Sequence, residues 1–524
     1  MSSYPSVTIK NFIGMNTSRD ELSLIPGQLS KNENYLYMAS GGLSERGGGE
    51  LLSAPPSAGA VFSLSNYRNQ SGTEYLITNQ GTDAYYYNAG WNALSLTLTA
   101  SKKTRWAQAG KGAATALYGV NANDSIIKIS GATPTGSSVS NSPTTCFDIK
   151  KHKNRLFAID KTTLYFTEIL EFDTWNTTVN TIDIAPGVDG DITAMEIWGD
   201  ALFIAKEYGW YVLPNAGDPV PKINWSILRA DAATGTQSID TVRRTKQGIY
   251  FLSSDNFIRK ISPSISFSSG EYTLGGSGTP IISVPIENDL EELLDDASKN
   301  NAQAIVHNDL YIISFETINN SGSYNDKTYF ADTNKFVQFE GIAEPQPYWG
   351  EFTGFNFDFF TTQLSSGKVL LYGAKGTGTA GQVHETLNNL IHNDNGAAIE
   401  SKATLGWFPV GGESLYKKIK QIYFVGQTED WALDVTLKAY KLGRIIPPEG
   451  EGKTYQYQSN TIAKAIVGTA IVGTAKLSES EVGSDKFRTS LKGHYLRAEI
   501  SNLNIDEFTR IDKMIVYYRP IKNR

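Results

Sequence analysis

Short apolar runs separated by polar turns fill the middle of the chain, from about residue 60 to residue 395. Residues 74–78 and 85–87 form one such pair of runs, and residues 201–205 and 210–213 form another. The turns contain Asp, Asn, Gly or Lys, which is typical of β-hairpins. Seven pairs recur about 40–60 residues apart, the spacing at which a β-propeller repeats its blades. We therefore predict an all-β fold in which residues 56–395 form a β-propeller of seven blades, with six to eight compatible with the spacing.

The pattern changes after residue 396, where the apolar runs lengthen. Residues 432–440 and 495–500 alternate with a period of nearly two, which indicates antiparallel, half-buried strands. We predict a C-terminal β-sandwich over residues 396–524. An insertion near 460–480 repeats the pentad Ile-Val-Gly-Thr-Ala at once. Such runs aggregate when exposed, so we expect a hairpin that pairs with a neighbouring subunit, or else a plain hairpin or mobile loop. The pairing residues would be Ile466, Val467, Ile471 and Val472.

A single helix is expected to interrupt the strands. Asn288 can cap its start, and Glu291 follows at the spacing of a capping box. Three leucines and Ala297 recur at helical intervals and form one apolar face. The opposite, acidic face is expected to be solvated.

Residues 1–55 differ from the rest and end in a glycine-rich stretch at 41–49. Glycine at this density predicts tight turns. We interpret the segment as an extended arm that docks to other proteins, with a plain structural turn as the alternative. Arg46 within it can bind backbone carbonyls or a carboxylate. The candidate assembly residues are Asn34, Gly41, Gly42, Leu43, Arg46 and Gly47.

Composition narrows the class of protein. Only 19% of the residues are charged and the net charge is −7, which disfavours tight duplex binding. Residues 400–524 carry a balance of +5 and the rest −12, which favours separate domains and self-association through complementary faces. The single cysteine, the lack of a signal-like start and the lack of a long apolar run predict a soluble protein made in a cytoplasm.

Motifs for catalysis are scarce. The nucleophile elbow and the phosphate loop are absent, and the glycine pattern at 376–381 lacks a βαβ context. Cys146 is expected to be a buried small residue. His384 and His392 bracket Glu385 in a short predicted helix, but their spacing does not suit zinc. The loop with Asp183, Asp189 and Asp191 is expected to hold Asx turns in preference to calcium. We predict no catalytic residue, cofactor or metal ligand.

Several stretches resemble a known family. They are residues 11–16, 32–35 and 41–48, then 189–195 with 199–207, and then 246–253. Together with a C-terminal sandwich, they resemble the tail nozzle, or tubular, proteins of short-tailed bacteriophages, which include stabilisation proteins. The family's pattern has Gly directly before Asn, whereas Met15 stands between Gly14 and Asn16 here.

The resemblance implies a structural protein of the virion. Copies would form a homohexameric ring that extends the portal channel, retains packaged double-stranded DNA and passes it on ejection. The implied partners are a tail adaptor, other tail proteins and tail fibres. We expect the channel to present acidic or neutral side chains, because carboxylates repel phosphates and let DNA slide. The alternatives are a receptor-binding or adhesive propeller and a glycan hydrolase of the virion.

Overall fold

The structure is a computed structural model that describes most of residues 4–521. The description leaves out residues 57–58, 112–113, 218–221, 232–233, 269–270, 276–277, 321–323, 377–380, 412–415, 428–431, 442–443, 447–452, 459–481, 489–490 and 503–508. Regular structure in the described residues is nearly all β-strand, which confirms the predicted all-β class. None of the described helices combines the length and apolar character that a membrane crossing requires.

Within the described residues, seven groups of strands that pair mainly antiparallel follow one another along the middle of the chain. We number them sheets 1 to 7, and sheet 6 is one end of a twelve-stranded sheet. Sheet 1 has strands Val61–Arg68, Glu74–Gln80, Asp83–Tyr87 and Trp91–Thr97, and sheet 2 has Arg105–Lys111, Ala114–Val120, Ile127–Ser130 and Thr135–Ser138. Sheet 3 has Asp148–His152, Arg155–Ile159, Thr163–Glu168, Glu171–Trp175 and Thr181–Asp183, and sheet 4 has Ile192–Trp198, Ala201–Lys206, Gly209–Leu213 and Leu228–Asp231.

The later sheets include a strand from the N-terminal segment. Sheet 5 has Arg243–Thr245, Gly248–Leu252 and Ile258–Ile261, followed by a separate hairpin of Ser264–Ser268 and Glu271–Gly275. Sheet 6 has Gln303–His307, Leu310–Phe315, Lys327–Val337 and Gln346–Phe352. Sheet 7 has Phe359–Ser365, Lys368–Lys375, Gln382–Asn388 and the N-terminal strand Gly48–Ser53, beside which lie the short strands Asn393–Asp394 and Ala397–Ala398.

Each sheet packs against the next one in the chain. Phe203 and Ile204 are adjacent in sheet 4, and because side chains alternate along a strand they point to opposite faces. Ile204 shares a cluster with Phe157 of sheet 3, whereas Phe203 shares one with Phe251 of sheet 5. This packing on both faces explains why the strands read as continuous apolar runs. The last sheet also packs on the first, and their shared cluster includes Val61, Leu64, Leu76, Phe359, Tyr372 and Val383.

The N-terminal segment is woven into several sheets. Its remaining strands are Ser6–Ile9, Ile13–Met15, Gln28–Glu33, Tyr35–Tyr37 and Leu43–Glu45. Ser6–Ile9 pairs with a strand near the C-terminus, and Gln28–Glu33 joins the edge of sheet 6 to the C-terminal region. The expected extended arm is therefore a set of short strands within the body of the chain, because its backbone groups find partners at exposed sheet edges.

Two C-terminal sheets complete the fold. One continues from sheet 6 through Gln28–Glu33, and it adds Ser401–Leu405, Phe408–Pro409, Ala432–Lys441, Arg444–Ile446, Lys453–Gln458 and Tyr495–Asn502. The other contains Lys417–Gln427, Val482–Arg488, Lys492–Gly493 and Lys513–Pro520, while Arg510–Ile511 pairs with Leu43–Glu45. Burial alternates along Tyr495–Asn502 as the sequence predicts. The predicted pairing residues Ile466, Val467, Ile471 and Val472 lie outside the described residues.

The predicted single helix is two short helices, Glu287–Leu293 and Asp296–Asn301. Asn288 lies inside the first helix, so its predicted capping role is wrong. Asp295 caps the second helix by accepting a hydrogen bond from the Ser298 amide at 2.8 Å. Short 3₁₀ turns lie at Lys222–Asn224, Ile239–Thr241 and Val284–Ile286.

Candidate functional site at the N-terminal junction

The glycine-rich stretch forms a buried junction around Arg46. The Arg46 side chain is fully buried between strands Leu43–Glu45 and Gly48–Ser53. Its Nη1 donates to Asp394 Oδ1 at 3.0 Å, and its Nη2 pairs with the other carboxylate oxygen. Nη1 also donates to the carbonyl of Gly47 at 3.1 Å and Nη2 to that of Thr353 at 3.2 Å. Both partners suggested by the sequence, carboxylate and carbonyl, are therefore present.

Asn34 positions the other side of the guanidinium group. Its Oδ1 accepts from Arg46 Nε at 2.9 Å and from the Thr353 amide at 3.0 Å. Its Nδ2 donates to the carbonyl of Glu400 at 2.8 Å and to the Thr353 hydroxyl at 2.6 Å. The Asn34 backbone has a φ of 62°, a left-handed conformation that asparagine tolerates better than most residues. Asn34 thus joins the ends of sheets 6 and 7 to the N-terminal segment.

The glycines allow backbones to approach closely. A Cβ on Gly42 would lie 2.5 Å from the carbonyl oxygen of Ile511, and one on Gly47 would lie 2.5 Å from the carbonyl carbon of Asn388. Gly41 has a φ of 89° and lies against Asn11. Leu43 is fully buried in the main core cluster. These candidate residues hold the chain together internally, and their docking to another protein stays a prediction.

Glu45 belongs to the junction and was missed by sequence reasoning. Its carboxylate accepts from the Ser401 hydroxyl at 2.5 Å, the Thr509 amide at 3.2 Å and the Asn502 amide group at 3.4 Å. Burial is the largest influence and raises the pKa of Glu45 to about 7, despite these hydrogen bonds and the nearby Arg46. The local sequence around Glu45 could not predict its role, because its hydrogen-bond partners are about 350 or more residues away along the chain.

The three aspartates of the acidic loop have separate partners, and the lone thiol is buried. Asp189 pairs with Arg229, whereas Asp183 accepts from Thr163 at 2.8 Å and Asp191 lies 3.3 Å from Lys161. Within the described part of the chain, no group of three or more His, Cys, Asp or Glu is placed to hold a metal ion. Cys146 is buried, as expected, and burial raises the pKa of its thiol.

The histidine pair and the glycine pattern also lie in β structure. His384 belongs to strand Gln382–Asn388, so the predicted helix around Glu385 is wrong. Burial lowers the pKa of His384 to about 4. Gly376 follows strand Lys368–Lys375, and residues 377–380 of the glycine pattern lie outside the described residues.

Three cavities are notable. One of about 590 Å³ lies beside the junction and includes Asp394, whose carboxylate is already bound by Arg46. A groove of about 670 Å³ lies along sheets 1 to 3, and its aromatic residues Tyr67, Tyr118 and Phe172 are buried. The third, which we call the central cavity, has about 240 Å³ and is lined at or near the first strands of six of the seven sheets, sheets 1, 2, 3, 5, 6 and 7.

Comparison with known proteins yields structural neighbours of low similarity. No family model matches the chain, and no curated protein matches it. A computationally designed protein, Ika8, is 10% identical, with 64% of this chain and 99% of that chain covered and a TM-score of 0.35. The extracellular domain of a hybrid two-component system from B. thetaiotaomicron is 8% identical, with 64% and 39% covered and a TM-score of 0.38. Neither likeness is close enough to bear on function.

Proposed function

We propose that this chain is a structural subunit of a bacteriophage tail nozzle, which assembles as a ring around the path of the DNA. The observation that carries the proposal is that residues of the N-terminal motif form the buried junction. Asn34, Gly42, Arg46 and Gly47 contribute to the resemblance to nozzle proteins, and they build the buried junction that binds distant parts of the chain. The motif thus has a physical role in a rigid scaffold.

Sheets 1 to 7 are the blades of a seven-bladed propeller in this proposal. Support comes from their packing in chain order, from the contact between the last sheet and the first, and from the central cavity shared by six of them. Strand Gly48–Ser53 would close the ring by completing sheet 7. The two C-terminal sheets, whose side chains share one core cluster, would form the sandwich.

DNA would run between copies of the chain, outside the centre of each propeller. The central cavity of about 240 Å³ is far too small for a duplex, whose major groove alone is about 12 Å wide. Its walls are also joined by ion pairs, among them Arg105 with Asp240 at 2.7 Å. A channel for DNA therefore requires a ring of subunits, lined by acidic or neutral side chains.

The mass and shape of the purified full chain test the proposal. We expect mass photometry to find a closed ring, near six times 57.4 kDa, and negative-stain images to show an axial opening wide enough for DNA. Antibodies raised against the chain should label the tail of the phage particle. A chain that stays monomeric at all concentrations, is absent from virions and binds a bacterial surface would overturn the proposal in favour of an adhesive module.

A further inference from the structure

The central cavity contains charged groups from several sheets. Its basic lining residues are Lys103, Arg105, Lys150 and Arg243, and its acidic lining residues are Asp148 and Asp240. Taken alone, these lining side chains have an excess of two positive charges, and the carboxylates of Glu196 and Asp358 behind the lining offset that excess. Arg243 donates to the carbonyl oxygens of Ala304 at 2.7 Å and Val242 at 2.8 Å, so its charge is held by neutral groups.

The carboxylates at and near the cavity already accept hydrogen bonds. The Asp240 carboxylate accepts hydrogen bonds from Nε and Nη2 of Arg105, each at 2.7 Å. Asp148 accepts from two backbone amides at 2.9 and 3.1 Å. Behind the lining, Glu196 accepts from Lys150 at 3.2 Å, and Asp358 accepts from the Asn325 and Gly376 amides.

Several hydrogen-bond donors at the cavity, in contrast, have no acceptor among the described residues. Gln303 Nε2 and Trp106 Nε1 are buried and have no hydrogen-bond partner among the described residues, nor does the buried Thr104 hydroxyl. Gln303 and Thr104 are only 4% and 5% exposed. The ammonium group of Lys103 makes no hydrogen bond within the described part of the chain and lies 5.8 Å from the centre of the Phe359 ring. Buried donors without acceptors are costly, so this arrangement calls for an acceptor.

We propose that the central cavity binds one small oxyanion, of the size of phosphate, sulfate or a short carboxylate, between Lys103, Trp106 and Gln303. The anion supplies oxygen acceptors for donors that otherwise have none among the described residues. The cavity volume of about 240 Å³ admits such an ion with a few waters, each of which occupies about 30 Å³ in the liquid. Burial lowers the pKa of Lys103, and a bound anion opposes that shift.

Inorganic phosphate is the probe for this site. Thermal unfolding of the full chain is measured with phosphate or chloride at equal ionic strength and constant pH. We expect phosphate to raise the midpoint in a saturable way, with one site per chain by isothermal titration calorimetry. At a phosphate concentration ten times Kd, the unfolding equilibrium constant should fall about elevenfold.

Variants separate this site from surface binding. K103M and Q303L should each reduce the phosphate-induced rise in the unfolding midpoint at least tenfold. K102M, which changes an exposed neighbour, should leave that rise unchanged. If K103M does not fold, Q303L still decides the matter, because it alters no charge. The same phosphate shift in Q303L as in the natural sequence, or no shift in the natural sequence, would overturn the proposal. Ring formation is scored separately, so the two proposals fail independently.

Discussion

Arg46 and Asp394 are 348 positions apart in the sequence, and the guanidinium group of one binds both carboxylate oxygens of the other. Arg46 is fully buried, whereas the Asp394 side chain keeps 29% exposure at the edge of a cavity. A charge buried to this degree requires a partner, because its desolvation is otherwise uncompensated. The pair therefore couples the N-terminal segment to the end of sheet 7.

Replacing Asp394 by Asn should destabilise the chain by about 3 kcal/mol, because it removes the carboxylate that binds the buried Arg46 guanidinium group through both of its oxygens. Chemical denaturation of the monomeric fraction measures this change. The matched control is D191N, which breaks an exposed pair between Asp191 and Lys161 and should cost less than about 1 kcal/mol. Equal small effects in the two variants would show that the buried pair does not hold the junction.

The stability of the chain should depend on pH through Glu45. Its carboxyl has a pKa of about 7 in the folded chain against 4.5 for the free group. The raised folded value means that the contribution to stability is complete below pH 4.5 and is lost as the pH rises through about 7. Between pH 5 and pH 8 we expect a loss of about 2 kcal/mol.

The variant E45Q should remove this dependence, because the amide is neutral at every pH in that range. Denaturation curves at pH 5 and pH 8 for the natural sequence and E45Q measure the difference. A loss that is the same in both proteins would assign the pH dependence to another group.

Substitution of Gly42 by Ala should cost about 1–3 kcal/mol, because the new methyl group meets the Ile511 carbonyl oxygen and the backbone must shift. Gly90 is the matched control, since a Cβ at that position has no neighbour within 4 Å. Differential scanning calorimetry compares the two variants. Similar midpoints would contradict the close approach at the junction.

Assembly should depend on the repeated pentads if they pair between subunits. The double variant I466T/I471T weakens apolar contact but keeps β-branched side chains, so we expect loss of rings with the monomer still folded. Mass photometry and circular dichroism measure these two properties. The control T474S should assemble normally, and rings that persist in the double variant would assign assembly to another surface.

The hairpins of the fold follow from local sequence. Turn residues such as Gly81 and Gly199, both with positive φ, lie between apolar runs, and the strands form where those runs predict. The junction could be predicted only in part. Arg46 indicated a carboxylate or carbonyl partner, but its identity depends on where sheets 6 and 7 end, about 300 residues later. The residues next to Arg46 in the sequence carry no information about which distant residues will contact it.

The predicted helix shows a second limit of prediction from local sequence. Asn288 and Glu291 have the spacing of a capping box, yet the cap lies at Asp295, between two short helices. Leu290 and Leu294 are buried as the periodicity predicts, whereas Ala297 is exposed. Tertiary packing of the leucines thus overrides the local capping preference.

Strand Gly48–Ser53 pairs with Gln382–Asn388, about 330 residues further along. A ribosome that adds about 5–20 residues per second needs tens of seconds to make the intervening chain. During that time the early strand has no edge to join, and its unpaired amides and carbonyls are open to other chains. Chaperones should therefore have to shield newly made copies from aggregation until synthesis reaches sheet 7. Chains truncated before residue 382 should form aggregates in place of smaller folded proteins.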